Sequence, residues 1–282
     1  MLIFKDILDF KNHLRKLKND NNQIGFVPTM GALHDGHLSL LKNSIKNNDY
    51  TVVSIFVNPT QFDNPADLTS YPVDIVNDVE ILSSISKKLI LFMPGKDEIY
   101  SGNIISDSYN FGNLDMYMEG EYRKNHFQGV ATIVQKLFEI VNADNVYFGE
   151  KDFQQLRIVE ELVKKLGLRL NIIRCETIRT NGGLALSSRN KKLDISSQKI
   201  ATNLFKALSF AKDNFNRWDV VKVYEKIQAF LKTFPEINIE YFIIADEQDL
   251  KPVKIKRNDK KYRAFIAADI SGVRLIDNIK LY

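Results

Sequence analysis

Two histidines three residues apart, His34 and His37, are half of the chain's 4 histidines and stand where an apolar run gives way to a helix. The run reads Gly25-Phe26-Val27-Pro28-Thr29-Met30-Gly31-Ala32-Leu33-His34-Asp35-Gly36-His37-Leu38. A helix start presents unpaired N–H groups and the positive end of the macrodipole, so it attracts anions. Gly31 and Gly36 remove side chains where a phosphate would need close backbone approach. Imidazoles three residues apart share one face of the first turn and can address one ligand. The spacing fits neither the dinucleotide fingerprint nor the Walker loop, so it points to a nucleotide-phosphate site of another kind. The usual helical metal pair is i, i+4 and no Cys/His cluster accompanies these two, which argues against a metal site.

Two more clusters can hold anions: Lys151, after the strand-like Asn145–Phe148, and Ser187-Ser188-Arg189. Three such points suit a nucleoside triphosphate, because charge on the α-phosphate and the departing pyrophosphate grows in the transition state. Taken alone, Lys151 reads as a solvated helix-start lysine and the serine–arginine run as a capped turn. Gln61 and Gln155 add neutral amides that can grip hydroxyls and a carboxylate without neutralising a nucleophile. Outside this context each would be an exposed polar residue.

The elements that must carry these residues alternate. Residues 4 to 18 have helical periodicity, a strand starts near Gln23, and a helix runs past His37 to about Ile45. Tyr50 to Val57 is a near-continuous β-branched and aromatic run, the mark of a buried parallel strand. A helix pattern over Ile75, Val79, Leu82 and Ile85 leads to a strand at Lys88 to Met93. A helix from Gln128 to about Asn142, a strand at Asn145 to Phe148, a helix from Phe153 to Leu166 and a strand at Leu168 to Arg174 continue the alternation. This predicts an α/β fold with a doubly wound parallel sheet and ligands at the carboxyl ends of its strands. His34, His37 and the segment from Asn58 to Gln61 fall there. Residues 101 to 113 suggest a loop or irregular strands. After Thr180-Asn181-Gly182-Gly183, two helical patterns and three strand-like runs predict a smaller α+β unit. The expected division is residues 1–176, a Rossmann-like nucleotide-binding domain, and residues 177–282, a smaller C-terminal α+β domain.

The 282 residues suffice for one large or two ordinary domains. A hydrophobic content of 44% against 26% charged residues is that of a soluble globular protein. No apolar run is long enough to span a membrane, and the N-terminus lacks the pattern of a signal peptide. The single cysteine, Cys175, excludes an internal disulfide and suits a reducing cytoplasm. A net charge of +4 suits anionic small molecules as well as nucleic acid.

Phe26–Leu41, Ser54–Phe62, Phe148–Gln155, Leu184–Asn190 and Arg274-Leu275-Ile276-Asp277-Asn278, in this order and spacing, resemble the pantothenate synthetase family of nucleotidyltransferases. The pairing of Pro-Thr-Met-Gly with His-x-Gly-His and Asn-Pro-Thr-Gln-Phe is specific to it. The resemblance implies a cytoplasmic homodimer that binds ATP with Mg2+, (R)-pantoate and β-alanine, with no nucleic-acid or membrane partner. Pantoate would attack the α-phosphate to give pantoyl adenylate and pyrophosphate, and β-alanine would then displace AMP. His37 and His34, with Lys151, Ser187, Ser188 and Arg189, would act on the phosphates. Met30, Gly31, Ala32, Leu33, His34, Asp35, Gly36 and His37 would line the ATP site. Gly149, Glu150, Lys151 and Asp152 would add contacts to phosphates and ribose, Ile178 would meet the adenine, and Leu186–Arg189 would close over the triphosphate. Gln61, Gln155 and Asn58 would hold pantoate and β-alanine. Asp78 reads as a solvated helix carboxylate, with a magnesium or water contact as its other reading. Gly182-Gly183 stands where the family has Asp-Gly, which would loosen a hinge. Arg123-Lys124-Asn125-His126-Phe127 replaces Arg-Pro-Gly-His-Phe, and Val73 stands where arginine is common.

Two rivals share these features. A nucleotidyltransferase acting on a phosphate acceptor would want more Lys and Arg at the acceptor pocket than Gln61 and Gln155 supply. A nucleotide sensor or RNA-binding relative would want a basic stripe interleaved with aromatics or a zinc motif, which this sequence lacks.

Overall fold

The computed structural model describes all 282 residues, Met1–Tyr282. The chain forms two compact units, the first comprising residues 1–111, 123–150 and 155–176, the second 112–122, 151–154 and 177–282. Two short stretches from the first 176 residues, 112–122 and 151–154, thus pack with the second unit.

The first unit is built on a six-stranded, all-parallel sheet. Its elements begin with β1 (Leu2–Phe4), α1 (Ile7–Asn19), β2 (Ile24–Thr29), α2 (Asp35–Asn47) and β3 (Tyr50–Ile55). They continue with α3 (Pro65–Thr69), α4 (Ile75–Ile85), β4 (Leu89–Phe92) and α5 (Lys96–Tyr100). A short helix of the second unit, α6 (Glu119–Tyr122), precedes α7 (His126–Val141), β5 (Asn145–Gly149), α8 (Phe153–Leu166) and β6 (Asn171–Cys175). The strand order β1-β4-β3-β2-β5-β6 is the expected doubly wound sheet, and its direction of winding reverses between β2 and β5. Ligands of such sheets bind at the carboxyl ends beside that reversal. Thr29, at the end of β2, and Gly149, at the end of β5, are there.

Local sequence explains the edges of this order. Pro28 lies inside β2 but pairs only toward β3, opposite Ser54; β5 meets β2 only at Gly25 and Phe26. A residue without an N–H is therefore placed where the ladder has a free side. β1 was hidden in the sequence because Phe4 also fits the helical spacing that follows. The unassigned stretch is mostly irregular, with α5 just before it. The helix expected from Gln128 starts two residues earlier, at His126, and the helix expected after His37 contains it.

The second unit contains α9 (Ile195–Phe215) and α10 (Val220–Leu231) on an antiparallel sheet ordered β7 (Ile237–Asp246), β8 (Tyr262–Ile270), β9 (Val273–Lys280). Asp194 and Asp219 cap the two helices, each accepting from a backbone N–H at 2.7 Å. Ala201, Ala207 and Ala211 let α9 lie close to the strands, whose inward residues Ile244, Ala264, Ile266 and Ala268 share its core. No helix is long and apolar enough to cross a membrane.

Candidate active site

The histidine turn is built by an unusual backbone. Gly31 has φ +85° and Ala32 has φ +49°. Alanine rarely occupies the left-handed region, so something must hold it. Asp78 of α4 does: it is fully buried, and its carboxylate accepts from Ala32 N at 2.8 Å and Leu33 N at 2.7 Å. Thr29 Oγ1 accepts from Gly31 N at 3.2 Å and donates to the Ser54 carbonyl at 2.7 Å. The expectation of a solvated Asp78 is corrected: its oxygens are spent on the turn.

His34 is the N-cap of α2, its Nδ1 accepting from Gly36 N at 3.1 Å. An accepting Nδ1 fixes the neutral tautomer with the proton on Nε2. His37 lies one turn on, its ring centroid 4.1 Å from that of His34. The two imidazoles therefore share one face, as their spacing required. Asp35 is exposed in the first turn, where a carboxylate complements the helix dipole.

Asn58 and Gln61 meet beside this turn. Asn58 Nδ2 donates to Gln61 Oε1 at 3.2 Å, and Gln61 Nε2 lies 3.1 Å from Met30 Sδ. Behind them stands a layer the sequence did not reveal. Tyr100 and Thr60 donate to Asn58 Oδ1, and the Asn58 amide also donates to the Gly129 carbonyl. The Gln61 carbonyl accepts from His126 Nδ1 at 2.7 Å and Arg123 at 3.4 Å. Since Arg123 can only donate to His126 Nε2, at 3.3 Å, His126 is neutral with its proton on Nδ1. Gly129 allows this packing: a Cβ there would lie 2.1 Å from the Thr60 carbonyl oxygen. Gly129→Ala is therefore expected to destabilise the fold by about 1–3 kcal/mol, read as a lower urea midpoint with unchanged slope.

Adjacent glutamines differ completely. Gln154 is buried, accepting from Glu119 N and donating to the carbonyls of Leu114 and Tyr117, so it fastens residues 112–122. Gln155 is partly exposed on α8, and its side-chain amide makes no hydrogen bond within the protein. It is not joined to Asn58 or Gln61. A Cβ on Gly149 would meet nothing within 4 Å, and its φ is not in the left-handed region. Neither packing nor conformation demands glycine there. Glu150, next along, is partly exposed.

In the second unit, Lys151 and Asp152 lie in a short 3-10 turn, with Lys151 Nζ 3.3 Å from Asp152 Oδ1. Ile178 and Leu186 are partly exposed and joined through their backbones, Leu186 N donating to Ile178 O at 2.9 Å. Ser187 caps the turn from Ser188 to Lys192 by accepting from Arg189 N at 3.3 Å, and Ser188 is buried. The turn also bears Lys191 and Lys192, a denser positive charge than the motif suggested. At the expected hinge, Gly182-Gly183, the second glycine is closely packed. Gly183 has φ +94° and would clash through a Cβ with Phe205 at 2.4 Å, while Arg179 lies over the Phe205 ring and donates to the Gly183 carbonyl at 3.1 Å. Arg179 also forks onto Asp277 at 2.5 and 2.8 Å. Burial pushes the Asp277 carboxyl up from its ordinary range, against the pull of the Arg179 guanidinium.

A sequence profile described as pantoate-beta-alanine ligase matches residues 2–280. The chain belongs to that family. It is an enzyme, a ligase that forms pantothenate from pantoate and β-alanine. It is 47% identical over 281 residues to the pantothenate synthetase of Flavobacterium psychrophilum, with both chains covered in full. Against the pantothenate synthetase of Aquifex aeolicus the identity is 40%, covering 99% of each chain. The crystal structure of pantothenate synthetase from Thermus thermophilus superposes with a TM-score of 0.92 at 35% identity, both chains covered in full. The pantoate-beta-alanine ligase of Francisella tularensis, complexed with beta-gamma ATP and beta-alanine, gives 0.81 at 36% identity over 100% of this chain and 98% of its own. The likeness of fold therefore extends through both units.

Proposed function

We propose that this ligase works through an acyl adenylate. Pantoate's carboxylate attacks the α-phosphorus of ATP, brought in as its magnesium complex, and pyrophosphate leaves. The amine of β-alanine then attacks the acyl carbon, and AMP departs with the oxygen that pantoate supplied. The observation that carries this reading is the paired imidazoles on the first turn of α2, with the neutral amides of Asn58 and Gln61 reaching the same loop at Met30. Cationic or N–H-rich groups suit the phosphates, whereas Asn58 and Gln61 can orient an attacking carboxylate without neutralising it. No side chain is needed as a covalent nucleophile, so the catalysis is positioning and charge stabilisation.

In this account His37 donates to the phosphates with His34 beside it, and Met30 to His37 line the nucleotide. Gly149, Glu150, Lys151 and Asp152 contact phosphate and ribose, and Ile178 meets adenine. Leu186, Ser187, Ser188 and Arg189 approach the triphosphate, and Gln61, Gln155 and Asn58 hold pantoate and β-alanine. The open space at Gly149 supports close approach by a ligand, and the unengaged amide of Gln155 supports a role toward substrate. Magnesium enters with the nucleotide in this account, as the family resemblance implies. A homodimer and a cytoplasmic location rest on the family resemblance alone.

The oxygen route tests the chemistry. With pantoate labelled by 18O in its carboxylate, the adenylate path delivers one label into AMP; label in inorganic phosphate, with ADP formed, would mean an acyl phosphate instead. Gln155→Ala is expected to raise the KM for pantoate about tenfold, as loss of one or two substrate hydrogen bonds does, while the KM for ATP changes little. Equal losses for both would remove Gln155 from the pantoate site.

A further inference from the structure

Within the second unit, two adjacent residues of β9 each hold a different basic segment. Asn278 is buried; its Oδ1 accepts from Arg263 at 2.5 Å, and its Nδ2 donates to the main-chain carbonyl of Lys151 at 2.8 Å. Arg263 is only 2% exposed, donates to Glu247 at 2.7 Å, and lies with its guanidinium 3.7 Å from the ring centroid of Phe153. The lysine turn is thus gripped at its own carbonyl and again two residues later. Asp277, next to Asn278, takes both nitrogens of Arg179. Arg179 bridges antiparallel to Ala185, on the chain leading into Ser187-Ser188-Arg189, and also donates to the Asn278 carbonyl at 3.3 Å.

A buried arginine and a buried carboxylate are costly unless fully engaged. Here Arg263 and Asp277 are engaged by Glu247, Asn278 and Arg179, and this set reaches backbone at the Lys151 carbonyl through Asn278 and at the Gly183 carbonyl through Arg179. We infer that Asp277 and Asn278 are positioning residues for phosphate activation: through Arg179 and the Lys151 carbonyl they set the serine–arginine turn and the lysine turn in one fixed register. The inference rests on the reading of Lys151 and Arg189 as triphosphate-binding groups. Neither β9 residue touches substrate in this account; each acts through the segment it holds.

Double-mutant cycles separate positioning from general support. The quantity measured is the single-turnover rate of pyrophosphate release from Mg-ATP and pantoate without β-alanine. Asn278→Ala is expected to slow it roughly tenfold, and Lys151→Ala more, because misplaced groups lose much of their effect. The Asn278→Ala/Lys151→Ala double variant is expected to be no slower than Lys151→Ala alone, and the dissociation constant for pantoate to stay unchanged. Asn278→Asp keeps the acceptor toward Arg263 and removes the donor to Lys151; it is expected to match Asn278→Ala and provides the reading if the alanine variant does not fold. Asp277→Asn is expected to behave the same way against Arg189→Ala. Losses that multiply in the double variants, or a matching loss of pantoate binding, would overturn the positioning role while leaving the phosphate reading intact. A Lys151→Ala enzyme as fast as the wild type would show instead that the phosphate reading itself had failed, and the inference with it.

Discussion

Replacing His37 with alanine is expected to lower the rate of pantoyl-adenylate formation by about 10²-fold or more, the usual result of removing one preorganised donor from a developing oxyanion. His37 sits in the first turn of α2, at the positive end of the helix dipole, which favours an anion. His34 is held neutral by the N–H of Gly36, so the pair need not carry two positive charges side by side at 4.1 Å. The imidazole of His37 can then donate as negative charge builds on the phosphates. A donor of this kind contributes more as charge develops than in the ground state, so the rate falls further than nucleotide affinity. Single-turnover pyrophosphate release and ATP binding, measured together, separate the two. A variant that retains near wild-type turnover has lost nothing catalytic, and His37 would be only a neighbour of the site.

Asp78→Ala is expected to be the most destabilising single change near the site, by about 3–5 kcal/mol, because it strands two buried N–H groups, each costing about 1–3 kcal/mol. Those N–H groups belong to Ala32 and Leu33, in a turn already strained at φ +49°. Asp78→Asn keeps the shape but only one accepting oxygen, so roughly half of that loss is expected. Urea unfolding at equilibrium reads both values. A loss below about 1 kcal/mol for the alanine variant would mean that the turn holds itself and that the carboxylate is incidental.

The contrast between these two residues shows what could be read from the chain. The histidine pair was legible because its spacing, its glycines and the strand before it are local. So were Tyr50–Ile55 and Tyr262–Ile270, whose apolar runs leave few alternatives. Asp78 was misread because a carboxylate on an amphipathic helix looks solvated until the turn it meets, some 46 residues earlier, is brought to it. Gln154 and Gln155 are alike as letters; only the packing of residues 112–122 decides which one is structural. The same holds for Arg263, Asp277 and Asn278, whose partners are distant in sequence. Arg263 left one signal, a basic residue near the start of the largely apolar run of β8. β1 is three residues long, too short to show a period of its own.

The most direct test of the central claim is pyrophosphate release from Mg-ATP with (R)-pantoate, measured with and without β-alanine. The adenylate mechanism predicts a burst of one pyrophosphate per enzyme with pantoate alone, passing into steady turnover with AMP and pantothenate once β-alanine is added. Pyrophosphate that appears only when all three substrates are present, with no burst, would contradict a separate adenylation step.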